Sequence, residues 1–185
     1  MAEVETLEAL EILDSRGNPT LDVTVTLNNG VKATAKIPSG ASTGKREAVE
    51  LRDGDKKRYG GKGVLKACGY VEGEILNSVR GMDPNDQKAG DAALCKLDGT
   101  ANKSRLGANA ILGVSLPSAR AAAKDRGIPL YAHLSNDTDY ILPTPMLNVL
   151  NGGRHADNSV DFQEFMIAPV GAPSFMDALR SAVET

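Results

Sequence analysis

Residues 38–47 form a loop, Pro-Ser-Gly-Ala-Ser-Thr-Gly-Lys-Arg-Glu, that concentrates small, hydroxylated and charged side chains. Gly40 and Gly44 permit backbone angles that other residues avoid, so the segment could hinge and bring amides and hydroxyls close to an anion or a metal ion. A plain surface linker is the alternative reading. A nucleotide-type phosphate loop is disfavoured, because three residues rather than four separate the glycines and Arg46 follows Lys45. The composition of this loop therefore predicts a lid over a charged ligand.

A second candidate site lies in residues 151–158, Asn-Gly-Gly-Arg-His-Ala-Asp-Asn, where His155 follows a flexible diglycine. Gln163 and Glu164 come next, on a predicted strand. A histidine can pair with a phosphate or carry a proton near neutral pH, and the pKa of a carboxyl beside an anion can rise enough for proton exchange. The alternative is that His155 is an ordinary turn residue. The other histidine, His133, lies in a short apolar helical segment and is interpreted as structural.

The elements that must position these residues begin with an antiparallel meander. Hydrophobic and polar residues alternate over 21–27 and again over 31–37, and the Asn-Asn-Gly turn between them is typical of a hairpin. Residues 4–13 predict a third strand, joined to the hairpin by a turn over 14–19 that contains Gly and Pro. The loop at 38–47 therefore leaves the last strand of a three-stranded sheet.

From Gly61 onward the spacing of hydrophobic residues becomes helical. Helices are predicted over residues 64–79, 84–97 and 109–126. Pro117 interrupts the last of these helices. Because a proline in a helix interior costs about 3 kcal/mol, we expect a kink or two shorter helices there, with Ala121 and Ala122 buried.

Residues 135–145 are rich in turn formers and predict a linker between two domains, 1–135 and 136–185. Strands are expected at 146–150 and 161–167, followed by a helix that Ser174 caps. A unit of about 40 residues rarely buries a core of its own without disulfides, metals or partners. We therefore expect the second domain to be incomplete and the chain to be truncated.

Composition excludes several classes of function. The 185 residues are 41% hydrophobic and 24% charged, with a net charge of −3, so a basic surface for nucleic acid or membrane lipid is not expected. The run Lys56-Lys57-Arg58 is interpreted as a solvated face. The two cysteines have no metal or redox spacing and the N-terminus has no apolar signal segment, which favours reduced thiols in a cytoplasmic protein. No stretch is long and apolar enough to span a membrane.

The whole chain resembles the N-terminal part of the enolase family. Segments that match in order and at suitable spacing are Asp14–Thr20, Pro38–Gly44, Glu50–Asp55, Gly107–Leu112, and Leu147–Gly153 with His155. Such a long ordered match is more specific than any short motif. It implies an α+β fold for residues 1–135, in which a three-stranded antiparallel meander is followed by helices. It also implies that residues 136–185 begin an incomplete (β/α)₈-type barrel, a fold whose active sites lie at the C-terminal ends of its strands.

The resemblance also implies an activity, the Mg²⁺-dependent, reversible dehydration of 2-phosphoglycerate to phosphoenolpyruvate in glycolysis. In the enolase superfamily, a Lys or His base removes the proton and one or two Mg²⁺ ions stabilise the negative charge that forms. By resemblance, Ser42 is a Mg²⁺ ligand, His155 and Glu164 are catalytic, and Gln163 lines the substrate pocket together with them. A homodimer or higher homo-oligomer that uses the N-terminal domain is also implied for the full-length protein.

The family's base lysine and first metal site would lie beyond Thr185, so we expect the 185-residue chain to be inactive alone. One alternative is a non-catalytic binding module derived from an enolase, with sticky unburied barrel strands. Another is a superfamily member that acts on a non-phosphorylated acid, which the Ser42 loop and the His155 region disfavour.

Overall fold

The computed structural model describes residues 1–40, 44, 46–135, 137–153 and 157–185. The chain divides into two compact units, Met1–Asn136 and Asp137–Thr185. Within the described residues, no helix is both long enough and apolar enough to cross a bilayer.

The first unit begins with the predicted meander. Strands β1 (Val4–Leu13), β2 (Pro19–Leu27) and β3 (Lys32–Lys36) form an antiparallel sheet in the order β1-β2-β3. The register places Ala9 opposite Val23 and Val23 opposite Ala35, so one row of small and branched apolar side chains faces the core. The Asn-Asn-Gly hairpin turn is closed because the Gly30 N–H donates to the Leu27 carbonyl at 2.9 Å. The alternation in the sequence therefore predicted the sheet correctly.

Helices cover the inner face of this sheet. After a 3₁₀ turn at Tyr59–Gly61, α1 (Leu65–Tyr70) continues through a π-helical turn at Val71–Ile75 into α2 (Leu76–Val79). Three further helices follow: α3 (Gln87–Asp98), α4 (Ala108–Asp125) and the short α5 (Leu130–Leu134). The helix predicted from Pro84 begins at Gln87 instead, because the Asp86 carboxylate caps it by accepting from the Ala89 N–H at 3.0 Å.

Pro117 does not divide α4, which runs unbroken from Ala108 to Asp125. Ala121 and Ala122 are fully buried, as expected. The helix packs on β2, β3 and α3, and ten of its residues are buried, Pro117 among them. Burial of Ile111 and Val114 in particular offsets the hydrogen bond that the proline removes, since burying a large apolar side chain contributes about 1.5–3 kcal/mol.

The core of the first unit joins the inner face of the sheet to the helices. Its fully buried larger side chains are Leu21, Val23, Val25, Leu27, Val64, Val71, Ile75 and Leu106. The run Lys56-Lys57-Arg58 was predicted to be a solvated face, but Arg58 is only partly exposed. Its guanidinium donates to the Glu11 carboxylate at 2.5 Å and lies 3.7 Å from the Asp53 carboxylate. Lys56 and Lys57 are exposed, as expected.

The second unit contains β4 (Leu147–Asn151), β5 (Glu164–Ile167) and α6 (Phe175–Glu184). The two strands pair antiparallel, so this unit begins strand-strand-helix rather than with a strict alternation of strand and helix. Ser174 caps α6 as predicted, because its Oγ accepts from the Asp177 N–H at 3.1 Å. Ala178 and Ala182 are buried, whereas Met176 and Val183 on the same helix are 81% and 71% exposed.

Candidate functional site

Three separate segments of the first unit meet at the start of the 38–47 loop. The Arg52 guanidinium connects them. One of its nitrogens, Nη1, donates to the carbonyls of Pro19 at 2.6 Å and Lys62 at 2.9 Å, and the other, Nη2, donates to Ser39 Oγ at 2.9 Å. The planar fork of arginine suits it to bind several oxygens in fixed directions. Arg52 therefore ties the beginning of β2 to the beginning of the loop.

The Glu50 carboxylate completes this arrangement. It accepts from Ser39 Oγ at 3.1 Å, from the Gly40 N–H at 3.3 Å and from Arg52 Nη2 at 2.6 Å. The two side chains are only a quarter to a third exposed. Hydrogen bonds to charged groups contribute about 1.5–3 kcal/mol, more than the 0–1 kcal/mol typical of a simple exposed ion pair. The first two residues after Pro38 are therefore held firmly.

A third contact reaches the same residues from the turn between β1 and β2. Arg16 Nη2 donates to the Ser39 carbonyl at 2.9 Å. This turn is organised by Asp14, whose Oδ1 accepts from the N–H groups of Asn18 and Arg16, both at 2.8 Å. The bond from Asn18 is the main cause that lowers the pKa of Asp14, and the bond from Arg16 adds to it. The turn therefore holds a carboxylate in its ionised form beside the base of the loop.

The segment that carries Glu50 and Arg52 is itself fixed by the start of α4. Asn109 is 5% exposed, and its side-chain amide pairs with the Leu51 backbone, accepting from the N–H at 3.0 Å and donating to the carbonyl at 3.1 Å. Gly107 precedes α4 with φ +93°, and a Cβ there would lie 2.5 Å from Leu51 Cβ. Only glycine permits both this backbone angle and this close approach.

In the second unit, the predicted site residues Gln163 and Glu164 lie at the end of the strand pair. Glu164 begins β5 opposite Asn151, and the Gly152 N–H donates to the Gln163 carbonyl at 3.0 Å. A Cβ on Gly152 would lie 2.5 Å from the Val160 carbonyl oxygen, so the chain needs a glycine there. The diglycine thus brings Gln163 and Glu164 beside the segment that leads to His155, and both side chains are exposed.

Two of the predicted site residues, Ser42 and His155, lie outside the described residues. Gln163 directly precedes β5 and Glu164 is its first residue, so the strand predicted over 161–167 begins three residues later than expected. They do not line the open groove of about 510 Å³ in the second unit, which the linker and the start of α6 form from apolar residues such as Pro143, Pro173 and Phe175.

The described residues do not fit a Mg²⁺ site. Within residues 1–40, 44, 46–135, 137–153 and 157–185, no three His, Cys, Asp or Glu side chains come together in a group that could hold a metal ion. The Glu50 carboxylate, which contacts the beginning of the loop, already accepts from Ser39, Gly40 and Arg52. No step of a reaction is therefore assigned to a metal ion held by these residues.

Reasoning from the sequence treated Glu50 and Arg52 only as part of a matching segment and missed their contacts with the loop. A signal was present, because side chains two positions apart in an extended chain point to the same side. An acidic and a basic residue at that spacing, just after a Gly- and Ser-rich loop, could have been recognised as a pair that holds it. Which loop atoms they bind follows only from the fold.

The first unit is thus an α+β domain with an anchored, Ser- and Gly-rich loop, and the second begins a barrel domain with an antiparallel strand pair and a helix. Comparison with family models agrees with this description. The model "Enolase, N-terminal domain" matches residues 4–134, and the model "Enolase, C-terminal TIM barrel domain" matches residues 139–185. The chain belongs to the enolase family, a family of lyases.

Proposed function

We propose that this chain forms part of an enzyme that reversibly dehydrates 2-phosphoglycerate to phosphoenolpyruvate, a phosphopyruvate hydratase. It would supply the lid and part of the active site, and it would be inactive alone. The observation that carries this proposal is the pairing of Gly152 with Gln163, which sets Glu164 beside the diglycine turn. Family membership supports the same reaction class. We also propose that residues 1–135 form the cap domain and 136–185 the beginning of the barrel domain.

The reaction removes a weakly acidic proton next to a carboxylate and then expels hydroxide, which is a poor leaving group. A carboxylic acid beside the departing oxygen makes this step easier, because the group then leaves as water. We assign this proton donation to Glu164. His155 would contact the substrate, and Gln163 would donate or accept a hydrogen bond in the same pocket. Both Gln163 and Glu164 lie at exposed positions.

The cofactor, the oligomeric state and the location are also part of the proposal. Members of the family use Mg²⁺, which stabilises negative charge on substrate oxygens when bound. We propose Mg²⁺ as the cofactor here, with Ser42 as a ligand through its hydroxyl and carbonyl oxygens, hard donors that suit this ion. We also propose that the full-length protein forms a homodimer or higher homo-oligomer through the cap domain, with a cytoplasmic location and no specific binding of nucleic acid.

The proposal can be tested by comparing residues 1–185 with a form extended by a complete barrel domain. Formation of phosphoenolpyruvate from 2-phosphoglycerate is measured with Mg²⁺ and with excess chelator. We expect activity only in the extended form with Mg²⁺. Glu164→Gln in that form should lower kcat by about 10²–10⁴-fold, the range for loss of a general acid or base. Glu184→Gln, a matched change at an exposed position of α6, should leave kcat unchanged.

Three results would contradict this proposal. Clear activity in residues 1–185 would show that the missing groups are dispensable. Full activity of the Glu164→Gln form would remove the proposed role of Glu164. Faster turnover of glycerate than of 2-phosphoglycerate would instead identify a superfamily member that acts on a non-phosphorylated acid.

A further inference from the structure

We propose that Glu50 and Arg52 are positioning residues for the ligand-binding loop. They fix the backbone at Ser39–Gly40 before any ligand binds, so that these two residues need not be ordered during binding. This inference rests on the proposed function, because it gives the loop a ligand. Neither residue is assigned a contact with the substrate.

Three polar groups at the beginning of the loop are each restrained by contacts from other segments of the unit. The Ser39 hydroxyl lies between Glu50 and Arg52, the Ser39 carbonyl accepts from Arg16, and the Gly40 N–H donates to Glu50. Four hydrogen bonds thus act on two consecutive residues. A linker that only connects two elements does not need this degree of restraint, since most loops are satisfied by solvent.

The segment that carries these two side chains is itself attached to rigid parts of the unit. Arg52 Nη1 donates to the Pro19 carbonyl at the first residue of β2, and Leu51 between the two side chains is held by Asn109 of α4. These bonds therefore hold the beginning of the loop at a fixed position relative to both the sheet and α4, the longest described helix. A side chain locked by such second contacts can hold its partner in one geometry.

The expected kinetic consequence is specific. Without these contacts, Ser39 and Gly40 would have to be ordered when a ligand binds, which lowers binding affinity. Both residues would stay ordered in the transition state, so the loss is the same for substrate and transition state. A uniform loss of this kind raises KM and leaves kcat nearly unchanged. A residue that only stabilises the fold would instead lower the amount of folded protein without changing KM.

The first test measures backbone hydrogen exchange at Gly40 in residues 1–185 by NMR. In Glu50→Gln, the amide nitrogen replaces one acceptor oxygen, and exchange at Gly40 should become at least about tenfold faster. Arg52→Lys keeps the charge but loses the fork, and it should also accelerate exchange. Glu74→Gln is the matched control, because Glu74 forms a half-exposed pair with Arg105 elsewhere in the unit. Its Gly40 exchange should stay within about twofold of wild type.

The second test measures steady-state kinetics in the form extended by a complete barrel. We expect KM for 2-phosphoglycerate to rise about fivefold to tenfold in Glu50→Gln and Arg52→Lys, with kcat within about twofold and no change in Glu74→Gln. Unchanged Gly40 exchange, or unchanged KM despite faster exchange, would overturn the positioning role. Faster Gly40 exchange in the two variants, together with an extended wild-type form that does not act on 2-phosphoglycerate, would support the anchoring and overturn the proposed function instead.

Discussion

Replacing Gly107 by alanine tests whether the start of α4 must approach the segment that carries Glu50 and Arg52. An alanine would have to keep φ near +93°, and its Cβ would contact Asn109 Oδ1 and lie 2.5 Å from Leu51 Cβ. The backbone angle alone costs about 1–3 kcal/mol in a residue other than glycine. Forcing a methyl group into an occupied space costs about another 1–3 kcal/mol. We expect a total loss of about 4 kcal/mol, or roughly a thousandfold in the folding equilibrium.

The assay is urea unfolding of the chain, followed by the helical circular dichroism signal, most of which comes from the first unit. For an m-value of about 2 kcal/mol/M, the midpoint should fall by about 2 M. Gly90→Ala is the matched control, since Gly90 lies inside α3 and a Cβ there would have nothing within 4 Å. It should stabilise the chain by about 0.5–1 kcal/mol. A Gly107→Ala variant within 1 kcal/mol of wild type would refute the close-approach argument.

Further predictions concern pH, thiol reactivity and capping. Burial raises the pKa of Asp98, but hydrogen bonds led by the one from the Leu106 N–H outweigh it and leave this pKa below 3.8. The ionised carboxylate therefore stabilises the fold at pH values above 3.8, and this stabilisation is lost as the pH falls through the lowered pKa of the folded state. Asp98→Asn should flatten the dependence of the unfolding free energy on pH in this acidic range. Burial raises the pKa of Cys68 to about 11, so iodoacetamide should label exposed Cys95 and spare Cys68 until unfolding, as peptide mass spectrometry would show. Ser174→Ala should lower helicity in α6 and cost about 1 kcal/mol by thermal unfolding, whereas Ser181→Ala should not.

Much of the fold follows from local patterns in the sequence. The alternation over 21–27 and the Asn-Asn-Gly turn suffice to predict a hairpin, because side-chain period and turn geometry act between near neighbours. The cap at Ser174 is predictable for the same reason. Pro117 shows where local reasoning fails, since the cost of a proline in a helix is local but the burial that offsets it comes from the sheet and α3.

In the candidate site, too, some features depend on local sequence and others on tertiary packing. The sequence by itself determined the family, the residue types of the loop, and the adjacency of Gln163 and Glu164 to a diglycine turn, because these depend on residues close together in the chain. Only the tertiary structure decided that Glu50, Arg52 and Arg16 converge on Ser39 and Gly40. Those contacts join residues 10 to 23 positions apart. Their distances are set by the packing of the sheet against α4, which no local pattern in the sequence encodes.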